Sequence, residues 1–274
     1  MSEITVVIPN YNGMKYLAEC MTSLCREQQN APGYEVLIID NASEDGSVEY
    51  LQKEWCGEGV RLISLPENTG FCHAVNLGIR EAKTPYVILL NNDTKAEAGF
   101  VRGLYDAIRE NEKIFSVSAK MLMWDRPELI DDAGDRYCVL GWAYSRGKGR
   151  PAADYDKSVP VFSACGGAAI YRRSVFEEIG YFDEEHFAYL EDTDIGYRAR
   201  IYGYENWYAP KAVVYHVGSG TSGSRYNQFK IRYSSRNNIY LIYKNMPVLQ
   251  IIINLPFLVA GFGKIGRASC RERV

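Results

Sequence analysis

Two acidic groups far apart in the chain set the first chemical constraint. Asn91-Asn92-Asp93 directly follows an aliphatic run, and Glu191-Asp192 opens a later helical segment about a hundred residues on. Carboxylates in those places suit a metal-binding group and a proton acceptor meeting across one cleft, the layout of a group-transfer enzyme. A single displacement needs only one base, and no additional carboxylate is identifiable as the nucleophile of a double displacement. A third group, His216, ends the run Val214-Tyr215-His216.

Four short aliphatic runs must position these groups: Ile4 to Ile8, Val36 to Ile39, Arg61 to Leu65 and Tyr86 to Leu90. Such runs form strands buried on both faces. Helical stretches alternate with them, Tyr16 to Gln28, Ser47 to Trp55, Phe71 to Ala82 and Phe100 to Asn111, which predicts an α/β fold with a mainly parallel central sheet flanked by helices. Each strand ends in polar residues, and ligands bind beyond the carboxyl ends of strands in open α/β sheets. Asp40 and Asp93 directly terminate buried runs and are expected to be functional, whereas Asn41, Ser43 and Asp45 are expected to be caps. The stretch Trp124 to Pro160 breaks the alternation and reads as a long irregular substrate loop or lid. Gly166 and Gly167 form a tight turn into a strand, where a ligand can approach the backbone. His73 is expected to pack or face solvent, His186 has a weaker claim as an acceptor contact, and Asp194 and Arg198, four apart, read as a structural ion pair.

The 274 residues can bury a substantial core, with one large domain expected at 1–220 and a division within it near residue 95. The net charge of −3 hides an asymmetry: ten Lys or Arg and one acid follow Glu205, leaving 21 basic and 33 acidic residues, −12, in residues 1–205. A basic and apolar C-terminal helical region, 221–263, follows, and 264–274 reads as a non-native tail. The apolar run Met246 to Gly263 is short for a bilayer span and interrupted by Pro247 and Pro256, so peripheral contact with a membrane surface is expected ahead of an ordinary buried helix. Nucleic-acid binding is not expected, because the body is acidic and no such motif occurs. Seven cysteines without a C-x-x-C pair argue against a disulfide framework or structural zinc and for a reducing compartment, and no signal peptide precedes Ile4.

Together Val7-Ile8-Pro9-Asn10-Tyr11-Asn12, Asp40 to Ser47, Glu67-Asn68-Thr69-Gly70-Phe71, Leu90-Asn91-Asn92-Asp93 and Glu191-Asp192-Thr193-Asp194 resemble a family 2 glycosyltransferase over about residues 3 to 216. The stretch from Gly180 to Arg198 is similar to the bacterial branch of rhamnosyltransferases and other surface-polysaccharide enzymes. The resemblance implies a GT-A fold, inversion at the anomeric carbon, a UDP- or dTDP-sugar donor and a divalent metal, Mn²⁺ or Mg²⁺. Pro9 and Tyr11 would border the nucleoside, Asp40 would accept a hydrogen bond from the pyrimidine, and Asn68 and Gly70 would line the same pocket. Asn92 and Asp93 would hold ribose and metal, with His216 completing the metal site. Asp192 would be the catalytic base, and Glu191 would cap its helix or bind the acceptor. Asn91 stands where many members carry an acid. The expected acceptor is a saccharide or lipid-linked saccharide, and the expected location the cytoplasm, at the inner face of the cell membrane. The competing readings are a catalytically silent sugar-nucleotide-binding or assembly subunit and a sugar nucleotidyltransferase; a glycine-rich basic loop, which the latter would want after the first strand, is replaced by Pro9 to Gly13.

Overall fold

The computed structural model describes residues 2–57, 59–218 and 228–271, with side chains as far as 263. Arg225 of the basic region, the proposed boundary at 220/221 and the side chains of 264–274 lie outside the described residues.

The elements run β1 (Ile4–Asn10), α1 (Met14–Cys25), β2 (Tyr34–Asp40), α2 (Ser47–Glu54), β3 (Val60–Ser64), α3 (Gly70–Glu81), β4 (Tyr86–Leu90), β5 (Thr94–Ala96) and α4 (Phe100–Arg109). They continue as β6 (Ile114–Met123), β7 (Arg126–Asp132), β8 (Asp135–Tyr137), β9 (Ala143–Ser145), β10 (Val159–Val161), β11 (Ala168–Arg172) and α5 (Phe176–Ile179). The chain then forms α6 (Glu191–Ile201), β12 (Glu205–His216), α7 (Gln228–Asn245) and α8 (Val248–Arg271).

One large sheet has the order β10-β12-β6-β11-β4-β1-β2-β3, with β5 on β12 and β7 on β6. The β3-β2-β1-β4 block is parallel, as is the pair β6-β12, and antiparallel β11 joins the two. Side chains alternate across a strand, so the aliphatic runs feed two cores. Ile4, Val6 and Ile8 of β1 pack with Leu17 and Met21 of α1 and Leu104 of α4. Val7, on the opposite face, joins Val75 and Ile79 of α3, Phe176 of α5 and Ile195 of α6. Fully burying such an aliphatic side chain contributes about 1.5–3 kcal/mol, so covering both faces holds the block rigid. Gly78 lets α3 approach, since a Cβ there would lie 2.3 Å from Val7 Cγ1.

The stretch 124–160 is not the irregular lid expected from the sequence. Its first part pairs as β7 with β6 in the main sheet, and β8 and β9 form a separate hairpin. The pairing partner is supplied by the chain's own preceding strand, which composition alone does not reveal. The apolar C-terminal run folds as α8, which continues through Pro256 and rests on the β8–β9 hairpin, with Gln250 and Asn254 both donating to the Val139 carbonyl. Its outer side chains, among them Leu249, Ile252 and Phe257, are exposed. Among the described residues no helix is long and apolar enough to cross a membrane.

Candidate active site

The ends of β1, β2 and β4 are tied by a chain of polar side chains. Asn92 Nδ2 donates to Asn10 Oδ1 at 2.7 Å, and Asn10 Nδ2 donates to Asp40 Oδ1 at 2.7 Å. Asp40 also accepts from the Ser43 hydroxyl and backbone N–H, is fully buried and lies off the cavity wall. These bonds hold Asp40 between Asn10 and Ser43 and bracket β1 against β2. Asn41, expected to be only a cap, does reach the wall. It accepts from Thr69 and donates to the Gly70 carbonyl, shaping the turn at Gly70 with the help of Asn68, which accepts from Gly70 N–H.

These ends open on a cavity of about 780 Å³ that Pro9, Tyr11, Asn68, Gly70, Asn92 and Asp93 line from the loops after β1, β3 and β4. Glu191, Asp192, Gly167 and His216 complete it. Gly166 is just behind the wall, where its N–H donates to Asp192 Oδ2 at 3.3 Å. His186 is fully buried beside Tyr240 and off the wall, and His73 pairs with Glu184, so neither reaches the cavity.

β12 delivers His216 beside Asp93, with Nε2 3.3 Å from Asp93 Oδ1. The other ring nitrogen is 2.7 Å from Asp131 Oδ2, and Asp131 also holds Lys148 at 2.6 Å. Burial alone would raise the Asp131 carboxyl, but the hydrogen bonds and charges of His216 and Lys148 outweigh it and bring it down to about 2. Among the described residues no three His, Cys, Asp or Glu side chains converge as a metal site. The reason is geometric: the imidazole stands between the two carboxylates. Asp93 and His216 alone have the spacing of neighbouring ligands on an octahedral cation, about 3 Å. A small cation there would take its remaining ligands from diphosphate and water, as Mg²⁺ commonly does.

Another part of the lining is acidic. Glu191 and Asp192 open α6, where the helix dipole favours negative charge. Asp192 Oδ1 accepts from Thr193 N–H at 2.7 Å. Burial raises the carboxyls of both, and the Asp192 charge raises Glu191 further. Asp135, also on the wall, is raised well above the ordinary carboxylate range by burial and by the charges of Asp192 and Asp132. Such carboxyls can both accept protons and donate hydrogen bonds to hydroxyls.

Asp131, Asp135 and Lys148 were not found from sequence, although Ile130-Asp131-Asp132-Ala133-Gly134-Asp135 concentrates three carboxylates in a stretch dismissed as irregular. Asp194 and Arg198 do form the expected ion pair, at 2.8 Å, with Asp194 fully buried.

An open α/β sheet whose strand ends face a cavity, with the Asp93–His216 pair and the Glu191–Asp192 carboxyls on its lining, is the architecture of a GT-A nucleotide-sugar transferase. The chain belongs to glycosyl transferase family 2, whose family model matches residues 5–180. It is 28% identical over 248 residues to the N-acetylglucosaminyl-diphospho-decaprenol L-rhamnosyltransferase of Mycobacterium tuberculosis, covering 80% of this chain and 78% of that protein. Two solved structures share the fold. GalNAc-T7 with UDP, GalNAc and Mn²⁺ has a TM-score of 0.68 at 18% identity, covering 89% of this chain and 48% of that one. The mannosyltransferase of Pyrobaculum calidifontis with GDP-Man and Mn²⁺ has a TM-score of 0.63 at 19% identity, covering 94% and 69%.

Proposed function

We propose that this glycosyltransferase inverts the anomeric carbon, moving a hexosyl or deoxyhexosyl unit from a UDP- or dTDP-sugar to a saccharide acceptor in the building of bacterial surface polysaccharide. The observation that carries the reading is that Asp192 and the Asp93–His216 pair line the same cavity. The nucleoside lies along Pro9, Tyr11, Asn68 and Gly70, and the ribose near Asn92. Asp192 takes the proton of the acceptor hydroxyl while its oxygen forms the new bond to the anomeric carbon. The bond from that carbon to the diphosphate oxygen breaks, and the nucleoside diphosphate leaves with the electron pair. One displacement inverts the centre. A divalent cation, Mn²⁺ or Mg²⁺, held by Asp93 and His216 would stabilise the charge on the departing diphosphate. Asp131 sets the orientation of His216 by binding its other nitrogen. Glu191 and Asp135 offer the acceptor hydrogen-bonding groups.

The acceptor is a lipid-linked saccharide. Support comes from the diphospho-decaprenol in the mycobacterial relative's name and from the exposed apolar side of α8, which suits the inner surface of the cell membrane. Sedimentation with anionic vesicles, before and after truncation at Asn245, tests that contact; unchanged sedimentation removes it.

The activity is tested by release of UDP or dTDP from a panel of nucleotide sugars with Mn²⁺ or Mg²⁺, with water and candidate acceptors, in wild type and Asp93→Ala. Donor-selective release that Asp93→Ala loses supports transfer. Binding without turnover would favour a silent binding subunit.

A further inference from the structure

The loop that brings Asp192 to the cavity is built from backbone conformations that its residues resist. Phe187 has φ 62° and ψ −58°, and Tyr189 and Leu190 have φ of 75° and 66°, none of them glycine. Ala188 N–H donates to the His186 carbonyl at 2.7 Å, closing a three-residue turn of the rare, strained hand around Phe187. Such conformations persist where the surroundings over-determine them.

Helix α7 supplies much of that constraint. The amide nitrogen of Asn237, a fully buried residue, donates to the carbonyls of His186, Ala188 and Tyr189 at 2.9, 2.8 and 2.7 Å. An amide has two hydrogens, so at least one is shared between acceptors. The guanidinium of Arg236 donates to the Glu185 and His186 carbonyls, and its Nε donates to Asn237 Oδ1 at 3.0 Å, which fixes which way the amide faces. From the other side, Phe71 N–H at the start of α3 takes the Phe187 carbonyl at 2.8 Å, and Asp194 N–H takes that of Leu190 at 2.9 Å. Every carbonyl from Glu185 to Leu190 thus has a donor, and α7 holds four of the six. The Phe187 ring also stacks on Tyr233 of α7, with centroids 5.3 Å apart. Helix α7 lies beyond residue 180, where the family match ends.

We propose that Asn237, oriented by Arg236, is a positioning residue for sugar transfer: it clamps the strained loop at Glu185 to Leu190 and so sets the direction in which Asp192 meets the acceptor. The inference rests on Asp192 being the base. Asn237 touches no reacting atom on this account and acts through the loop alone.

The test compares Asn237→Ala and Asn237→Asp, the latter equal in size but unable to donate, with Ile242→Ala. Ile242 is on the same helix and packs toward α8, so it reports lost stability without loss of the clamp. In the clamp variants kcat should fall about 10- to 100-fold, as expected for small misplacement of a reacting group. UDP affinity in the presence of Mn²⁺, measured by calorimetry, should stay within about threefold, because that pocket is built on the strand ends. Hydrogen exchange in the peptide 183–195 should quicken in the Asn237 variants but not in Ile242→Ala, a readout that needs no donor. Should both Asn237 variants fail to fold, Arg236→Ala, which leaves Asn237 in place, is expected to show the same pattern more weakly. Unchanged kcat or unchanged exchange in folded variants overturns the proposal, as does a kcat loss equal to that of Ile242→Ala at the same melting temperature. Asp192→Asn separates the failures: if it retains activity the base assignment falls, and if it is inactive while Asn237 variants match wild type, only the clamp falls.

Discussion

Replacing Asp131 by Asn keeps the shape of the side chain and removes its charge from between His216 and Lys148. The bond to His216 is a charge-assisted one in a buried setting, a kind that contributes about 1.5–3 kcal/mol. Lys148 is 38% exposed, so its share is screened and adds at most about 1 kcal/mol. Linkage gives an independent figure: a carboxyl lowered from 3.8 to about 2 corresponds to about 2 kcal/mol. Both routes place the loss at about 2–3 kcal/mol at neutral pH. Since the folded-state value is depressed, this stability is present above pH 3.8 and is lost as pH falls through about 2. The gap between wild type and variant in urea unfolding should therefore be level from about pH 6 to about 4 and narrow below that. Freed from Asp131, the imidazole no longer presents one fixed nitrogen to a cation, and Mn²⁺ affinity with UDP present should drop about 10- to 100-fold by calorimetry. A variant within about 0.5 kcal/mol of wild type, with unchanged Mn²⁺ affinity, would refute the reasoning.

Other substitutions probe separate parts of the account. Arg198→Ala strips the buried Asp194 of its closest cation and frees the carbonyls of Ile179, Gly180 and Tyr181, so urea unfolding should show a loss of about 3 kcal/mol. Gly70→Ala forces a Cβ into a left-handed site and to within 2.5 Å of the Phe187 ring; a loss of about 2–4 kcal/mol and a raised KM for the donor are expected in denaturation and steady-state assays. Glu191→Gln should stabilise the protein increasingly as pH rises above 4.5, because burial and Asp192 raise the folded-state value and the unfolded chain releases its proton first; a flat difference across pH 5 to 8 would count against it.

The parallel block was legible because its strands are uninterrupted aliphatic runs with polar ends, a pattern local to each segment. Asp93 and Asp192 were legible for the same reason, each lying at the boundary of one element. Asp40 ends a buried run as well, but its bonds to Asn10 and Ser43, which bracket β1 against β2, left no mark in that local pattern. Asp131 and Lys148 reach the cavity only because β7 pairs with β6 and the glycine-rich turn after β9 folds back, contacts that leave no periodic mark. Asn237 was hidden differently. A polar residue in a basic, tyrosine-rich helix reads as solvent-facing, and only the packed helix buries it against the carbonyls of His186, Ala188 and Tyr189. His216 and Asp93 could each be placed at the end of a strand, whereas Asp131, the second carboxylate beside the imidazole, could not.

The central claim is that Asp192 is the single base of an inverting transfer, and the most direct measurement is single-turnover nucleotide release by Asp192→Asn, with UDP affinity measured on the same sample. The account predicts a fall of at least about 10²-fold in rate with UDP binding intact. Release within tenfold of wild type would contradict it and move the proton acceptor elsewhere on the acidic wall.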